Sequence, residues 1–203
     1  MKVAGIAFDE VVISLDAPNF KSVVTKISGA GKVPALDDNG VCVWESLAIL
    51  EYLAERFPAA RLWPSDPAAR AHARTISTEM HAGFAALRNE CGMAMWRPHL
   101  RKELSDDAKA NITRIQALWA DTRARFGVAG PFLFGRFCAA DAMYAPVVSR
   151  FETYAIDVSA PAKAYMQAMI ALPAWQEWRR AALNETWVLP HFEDFPQSQR
   201  LRA

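Results

Sequence analysis

The sequence predicts an α+β chain: a small sheet-and-helix unit at the front, followed by a larger all-helical one. Apolar periodicity is short and strand-like before about residue 58 and helical after it. The tract PAARLWPSDP, from Pro58 to Pro67, sets three prolines in ten residues, the composition of a boundary between domains. A chain of 203 residues has room for one large domain or two small ones. A front domain over 1–58 and a helical domain over 67–203 are therefore expected.

Within the front domain, Phe8 to Leu15 is rich in β-branched residues and stops at Asp16-Ala17-Pro18, which reads as a strand and a turn. Phe20, Val23, Val24 and Ile27 have helical spacing between a capping Asn19 and a terminating Gly29. Val33 to Leu36 and Val41 to Trp44 read as two strands joined through Asp37-Asp38-Asn39-Gly40, a hairpin signal. Ser46 to Phe57 then reads as a helix with Leu50, Leu53 and Phe57 inward, stopped by Pro58.

Asp66 as cap and Pro67 at the first helical position open the second domain. Ala68 to about Glu90 reads as one long helix, and Cys91 to Ser105 as a loop broken by Gly92 and Pro98. Asp106 to Phe126 is a helix with Ile112, Ile115, Leu118, Trp119 and Phe126 on its apolar side. Three more helices are expected over Ala139 to Tyr154, Pro161 to Ala171 and Pro173 to Leu183.

Composition excludes several function classes. Hydrophobic residues at 52% and charged residues at 22% fit a globular chain with a real core. A formal net charge of +1 gives no global field for nucleic acid or an anionic membrane. No apolar run reaches bilayer length, and Asp9 and Glu10 do not suit a signal peptide. Cys42, Cys91 and Cys138 are widely spaced with no CxxC pair. Reduced thiols, a cytoplasmic location and no metal site are expected. His72 and His81 lack the i,i+4 spacing of a helical metal pair.

Chemistry concentrates in GKVPALDDNGVCVWESLAIL, from Gly31 to Leu50. Pro34 cannot donate to a ladder, so the backbone of Val33 beside it is left for another partner. Glu45-Ser46 falls at the first turn of a helix, where unpaired N–H groups and the positive dipole end attract carboxylates. The Ser46 hydroxyl adds a donor and the Glu45 carboxylate suits an ammonium, so one helix end provides for both charges of an α-amino acid. The alternative is a simple capping pair. In NECGMAMWRPHLRK, Met93, Met95 and Trp96 read either as a permissive apolar pocket or as a flap packed on its own domain. His81 has the same two readings, cleft-facing or packed.

The run GKVPAL, a short turn, then ESLAILEYLAERFP resembles the glutathione-binding domain of the cytosolic glutathione transferases, with wording closer to the zeta-like, serine-type bacterial members than to the tyrosine-type ones. GRFCAADAMYAPV, from Gly135 to Val147, resembles the buried helix start of that family's second domain. There Cys138 stands where Ser or Thr is usual, leaving Asp141 to carry more of the capping. LPAWQEWRRAAL resembles a terminal helix of the same domain. The resemblance implies a thioredoxin-like domain followed by an all-α one, with glutathione as co-substrate. It implies that the Val33 backbone, beside a cis Pro34, pairs with the peptide's cysteine. Glu45 and Ser46 would hold the γ-glutamyl end, with Lys32 approaching the peptide. An electrophile pocket at His81, Met93, Met95 and Trp96 and a homodimer are expected with it.

The family's first domain opens with a strand, a loop bearing a catalytic Ser, Tyr or Cys, and a first helix. Here Met1 to Gly5 reads as the tail of that helix and Phe8 to Leu15 as the second strand, so the thioredoxin-like domain is expected to be truncated. No residue of this chain is assigned the catalytic role. Two explanations stay open, a natural start upstream of Met1 or a scaffold that has lost its chemistry. The expected activity is glutathione transfer to a hydrophobic electrophile, or a related isomerisation or reduction. The alternative is a non-catalytic binding or scaffold protein of the same fold.

Overall fold

The computed structural model describes residues 1–188 and 195–202. The chain divides into two compact units, Met1–Trp63 and Pro64–Ala203.

In the first unit, strands β1 (Ala35–Asp38) and β2 (Val41–Trp44) form an antiparallel hairpin that pairs Ala35 with Trp44 and Asp38 with Val41. Its two-residue loop, Asn39-Gly40, has φ of 53° and 90°, the type I′ geometry that continues the strand twist. The Asp37 carboxylate accepts from the Gly40 N–H at 2.7 Å. Helices α1 (Phe20–Val24) and α2 (Ser46–Arg56) accompany the hairpin. Asp38 clamps α2 to it, accepting from the Tyr52 hydroxyl at 2.8 Å and lying 3.4 Å from the Arg56 guanidinium. These partners hold the Asp38 carboxyl below its ordinary range, the Tyr52 hydroxyl bond first among them.

Three expectations need correction here. Phe8 to Leu15 is irregular rather than a strand, because β-propensity makes no ladder without a partner edge. Residues 7–13 form no backbone hydrogen bond with any described segment. β1 begins at Ala35 instead of Val33, since Pro34 has no N–H and the ladder starts one residue after it. Helix α1 is shorter than read: Lys26 and Ile27 donate to carbonyls only three residues back, so the helix tightens and stops.

The second unit is helical: α3 (Pro67–Ala82), α4 (Ala85–Glu90), α5 (Asp106–Phe126), α6 (Ala139–Thr153), α7 (Ala160–Ile170) and α8 (Pro173–Asn184). Asp66 and Ser105 cap α3 and α5, accepting from the N–H groups of Ala69 at 2.8 Å and Ala108 at 3.2 Å. The long helix read over Ala68 to Glu90 is broken between α3 and α4. At Gly83 the chain leaves the helix with φ −106° and ψ −167°, and a Cβ there would meet the Glu79 carbonyl oxygen at 2.7 Å. Phe84 follows at φ 59°, inserting its buried ring into the core.

Trp119 of α5 is the centre of that core, with ring centroids of Tyr144, Phe151 and Tyr165 at 5.8, 5.5 and 4.9 Å. Interlocked edge contacts of this kind add to the area buried by each ring. The Tyr144 hydroxyl donates to the Ile76 carbonyl at 3.1 Å, tying α6 to α3. The start of α6 is fixed by Asp141, whose fully buried carboxyl accepts from Cys138 N–H at 2.8 Å and Leu133 N–H at 3.1 Å. The Cys138 sulfur takes the reciprocal position of the capping box, as the chain's pattern leads one to expect.

Burial pushes the Asp141 carboxyl up to about 6, against the lowering effect of its two backbone donors. A raised acid binds its proton more tightly in the folded state, so this component of stability falls as pH rises from 3.8 to about 6 and is flat above. Relative to Asp141→Asn, the wild-type chain should gain about 2 kcal/mol on going from pH 7.5 to pH 4.5. Urea unfolding of both proteins at the two pH values checks this; an unchanged difference would place the titration elsewhere.

Candidate functional site

The hairpin register brings the two halves of the sequence-predicted site together. Ala35 pairs with Trp44, so Val33-Pro34, just before β1, and Glu45-Ser46, just after β2, emerge at the same end of the ladder. The Val33–Pro34 peptide bond is cis. Val33 is 50% exposed, and its N–H and C=O take no backbone partner among the described residues. Lys32 is exposed next to it, its N–H donating to the Ser28 hydroxyl at 3.3 Å.

Glu45 occupies the N-cap of α2 with φ 69° and ψ 126°. A side chain rarely adopts this conformation, and residues held in such regions typically cost of order 1–3 kcal/mol. Its carbonyl already accepts from the Ile49 N–H at 3.0 Å, so α2 starts cleanly at Ser46. The Glu45 side chain does not cap its own helix. The first N–H groups of α2 therefore open at this end with the positive end of the helix dipole behind them. Behind the site, the Trp44 ring lies against Gly29, where a Cβ would meet it at 3.3 Å. The sequence reading passed over two elements of this arrangement. One is the positive φ at Glu45, for which a single sequence holds no signal at a non-glycine. The other is the Asp38–Tyr52 clamp that fixes α2, whose partners lie fourteen residues apart.

The other expected pocket residues lie in the second unit, two of them half-buried and two buried. His81 sits half-buried in the last turn of α3, and Met93 is half-buried in the loop after α4. Met95 and Trp96 are buried, with Trp96 only 9% exposed. The chain's tail covers that loop: Leu201 N–H donates to the Trp96 carbonyl at 2.7 Å, and the Arg200 guanidinium lies 4.7 Å from the Trp96 ring centroid. Arg200 is held there by the carbonyls of Glu185 at 2.6 Å and Trp187 at 3.2 Å. Arg97 is buried against the Tyr154 ring at 4.8 Å. Stacking against an aromatic face stabilises a guanidinium away from water.

The two buried thiols, Cys91 and Cys138, are poor nucleophiles. Burial pushes the Cys91 thiol up to about 11 and raises Cys138 further, and a neutral thiol does not attack. Among the described residues no cluster of His, Cys, Asp and Glu could hold a metal ion, and no helix is long and apolar enough to cross a membrane.

This chain is similar to several known proteins. Residues 1–55 match the model of the glutathione S-transferase N-terminal domain. The maleylacetoacetate isomerase of Rattus norvegicus is 30% identical over 187 residues, covering 87% of this chain and 82% of that protein. The chain belongs to the glutathione transferase family. A probable maleylacetoacetate isomerase of Caenorhabditis elegans is 37% identical over 89 residues, 44% of this chain and 42% of that protein. A glutathione transferase homologue from Burkholderia, solved with bound glutathione, has the same fold at a TM-score of 0.68 and 21% identity. It covers 91% of this chain and 88% of its own. The thioredoxin-like and all-helical fold read from the sequence is thus that of the family.

The strain at Glu45 separates stability from function. Glu45→Gly should leave the chain as stable as wild type, or up to about 1 kcal/mol more so, because glycine adopts the positive φ freely but loses more chain entropy on folding. Thermal unfolding measures this, and a loss above 1 kcal/mol would show that the Glu45 side chain holds the unit together.

Proposed function

We propose that this protein binds glutathione at the hairpin end and uses its thiol on a small hydrophobic electrophile, by conjugation, isomerisation or reduction. One observation supports this above the others: the open Val33 backbone beside cis Pro34 and the open N-terminus of α2 are set side by side by one strand register. An extended peptide laid against Val33 gains two main-chain hydrogen bonds there. Its α-carboxylate then meets the Ser46 hydroxyl and the first N–H groups of α2, a charge-assisted contact favoured by the helix dipole. Its α-ammonium faces the Glu45 carboxylate, and Lys32 is near enough in sequence to approach the second carboxylate of a tripeptide. Specificity for the γ-glutamyl end follows, since a ligand lacking one of those charges leaves a partner unmatched.

Chemistry at the thiol is electrostatic. A thiol must lose its proton to attack, and a nearby positive dipole end lowers the cost of that charge. We assign none of the chain's residues as the hydroxyl that stabilises the thiolate. His81, Met93, Met95 and Trp96 remain the proposed acceptor residues, and a cytoplasmic homodimer the proposed working form. Asp141 has a structural role in this reading.

Calorimetry with glutathione, followed by turnover of a chlorodinitroaromatic, tests the proposal. Ser46→Ala should weaken glutathione roughly 10- to 100-fold, the loss of one hydrogen bond to a charged group, without changing the unfolding midpoint by more than a few degrees. Absence of saturable glutathione binding by the wild-type chain overturns the reading. Binding without turnover, for this and other thiol acceptors, selects the non-catalytic binding protein instead.

A further inference from the structure

The proposed glutathione site is made of two chain segments, Lys32-Val33 ahead of β1 and Glu45-Ser46 behind β2, and the ladder stops short of both. The Lys32 end is built by a turn. Gly31 N–H donates to the Ser28 carbonyl at 2.9 Å, and Lys32 N–H donates to the hydroxyl of the same, fully buried serine at 3.3 Å. The Glu45 end is strained at φ 69°, a conformation that persists only where its surroundings fix it. One side chain reaches from the second segment to the first. Trp44 opposes Ala35 in the ladder, and Asp38, three residues further along β1, is turned to α2 by Tyr52 and Arg56. Residues three apart on a strand point to opposite faces, so the Trp44 ring stands on the face away from α2. There its far edge covers Gly29: a Cβ on that glycine would meet the indole Cη2 and Cζ2, both at 3.3 Å. Gly29 belongs to the turn that delivers Lys32 and Val33, and Trp44 is joined directly to Glu45.

We infer, resting on the glutathione reading, that Trp44 is a positioning residue for that ligand and that Gly29 is glycine to leave room for its ring. The ladder sets the register of the hairpin, but Pro34 lies outside it and has no N–H to donate. The indole supplies a second tie between the turn before Val33 and the helix cap. A site made of backbone groups needs its segments held to within about half an ångström. With the ring in place, Glu45 is anchored on one side by Trp44 and on the other by its own carbonyl, which accepts from Ile49 N–H at 3.0 Å. Its φ then has little room to relax, and the first N–H groups of α2 stay open at the end where Val33 lies. Trp44 acts through these neighbours and not on the thiol.

Gly29→Ala tests this without altering any residue of the site. Gly29 is not among the glycines with positive φ, so alanine fits the backbone, while its methyl obliges the indole to give by a few tenths of an ångström. Calorimetry on the full chain should show glutathione bound about three- to tenfold more weakly, because the displaced cap loosens a charge-assisted contact. The thermal unfolding midpoint should stay that of wild type. Trp44→Phe should weaken binding by a similar factor, since the shorter ring no longer reaches the turn. Combined, the two substitutions should restore most of the affinity: phenylalanine lacks the atoms that the methyl would strike, and the methyl fills the space they leave. Losses that act independently would add instead. Equal glutathione affinity for wild type and Gly29→Ala overturns the inference and leaves the glutathione reading standing. Additive losses in the double variant, or a loss of affinity that tracks a falling midpoint, overturn it as well. Absence of saturable binding by the wild-type chain overturns the glutathione reading and this inference with it.

Discussion

Everything proposed for the first unit depends on one register, Ala35 opposite Trp44. A two-residue loop with both central φ values positive admits few pairings, and Asn39-Gly40 supplies them. A slip by one residue would turn each side chain of the ladder to the other face. It would also carry Pro34 away from Glu45. The clamp of Tyr52 and Arg56 on Asp38 extends that constraint from the hairpin to α2. The helix end is therefore held at a fixed place relative to the Val33 backbone, which a site made of backbone groups requires.

The second unit solves a different problem, the anchoring of a helix that runs through its core. Among the described residues Asp141 has no cationic partner, and it stays buried because two backbone N–H groups point at it. Trp119 packs with three rings around its own. The burial that raises the Asp141 carboxyl also raises the Cys138 thiol, so the residue at the cap position is inert for the same reason that it is well packed.

Local pattern was legible wherever neighbours in sequence are also partners in space. The hairpin turn, the caps at Asp66 and Ser105, the box at Cys138 and Asp141, and the full length of α5 all involve groups within a few residues of each other. The site's halves were legible as well, because a proline before a ladder and a serine at a helix start have local meanings. The reading failed where an outcome depends on a distant partner. Phe8 to Leu15 has the composition of a strand and pairs with no strand among the described residues. For Trp96 the reading left pocket and packed flap both open, and the residues that cover it lie about a hundred positions further along.

By itself, then, the sequence determined the hairpin and the helix that follows it, the place where the strand period gives way to the helical one, and the residue types at the hairpin end. Each of these follows from periods, caps and turns that act over four residues or fewer. Only tertiary structure decided that Glu45 adopts a positive φ, that Phe84 enters the core at a break in a long helix, and that Trp96 lies under the chain's tail. The physical reason is common to all three: burial and backbone conformation at a given residue are set by what packs against it, and a single sequence does not say which distant residues those are.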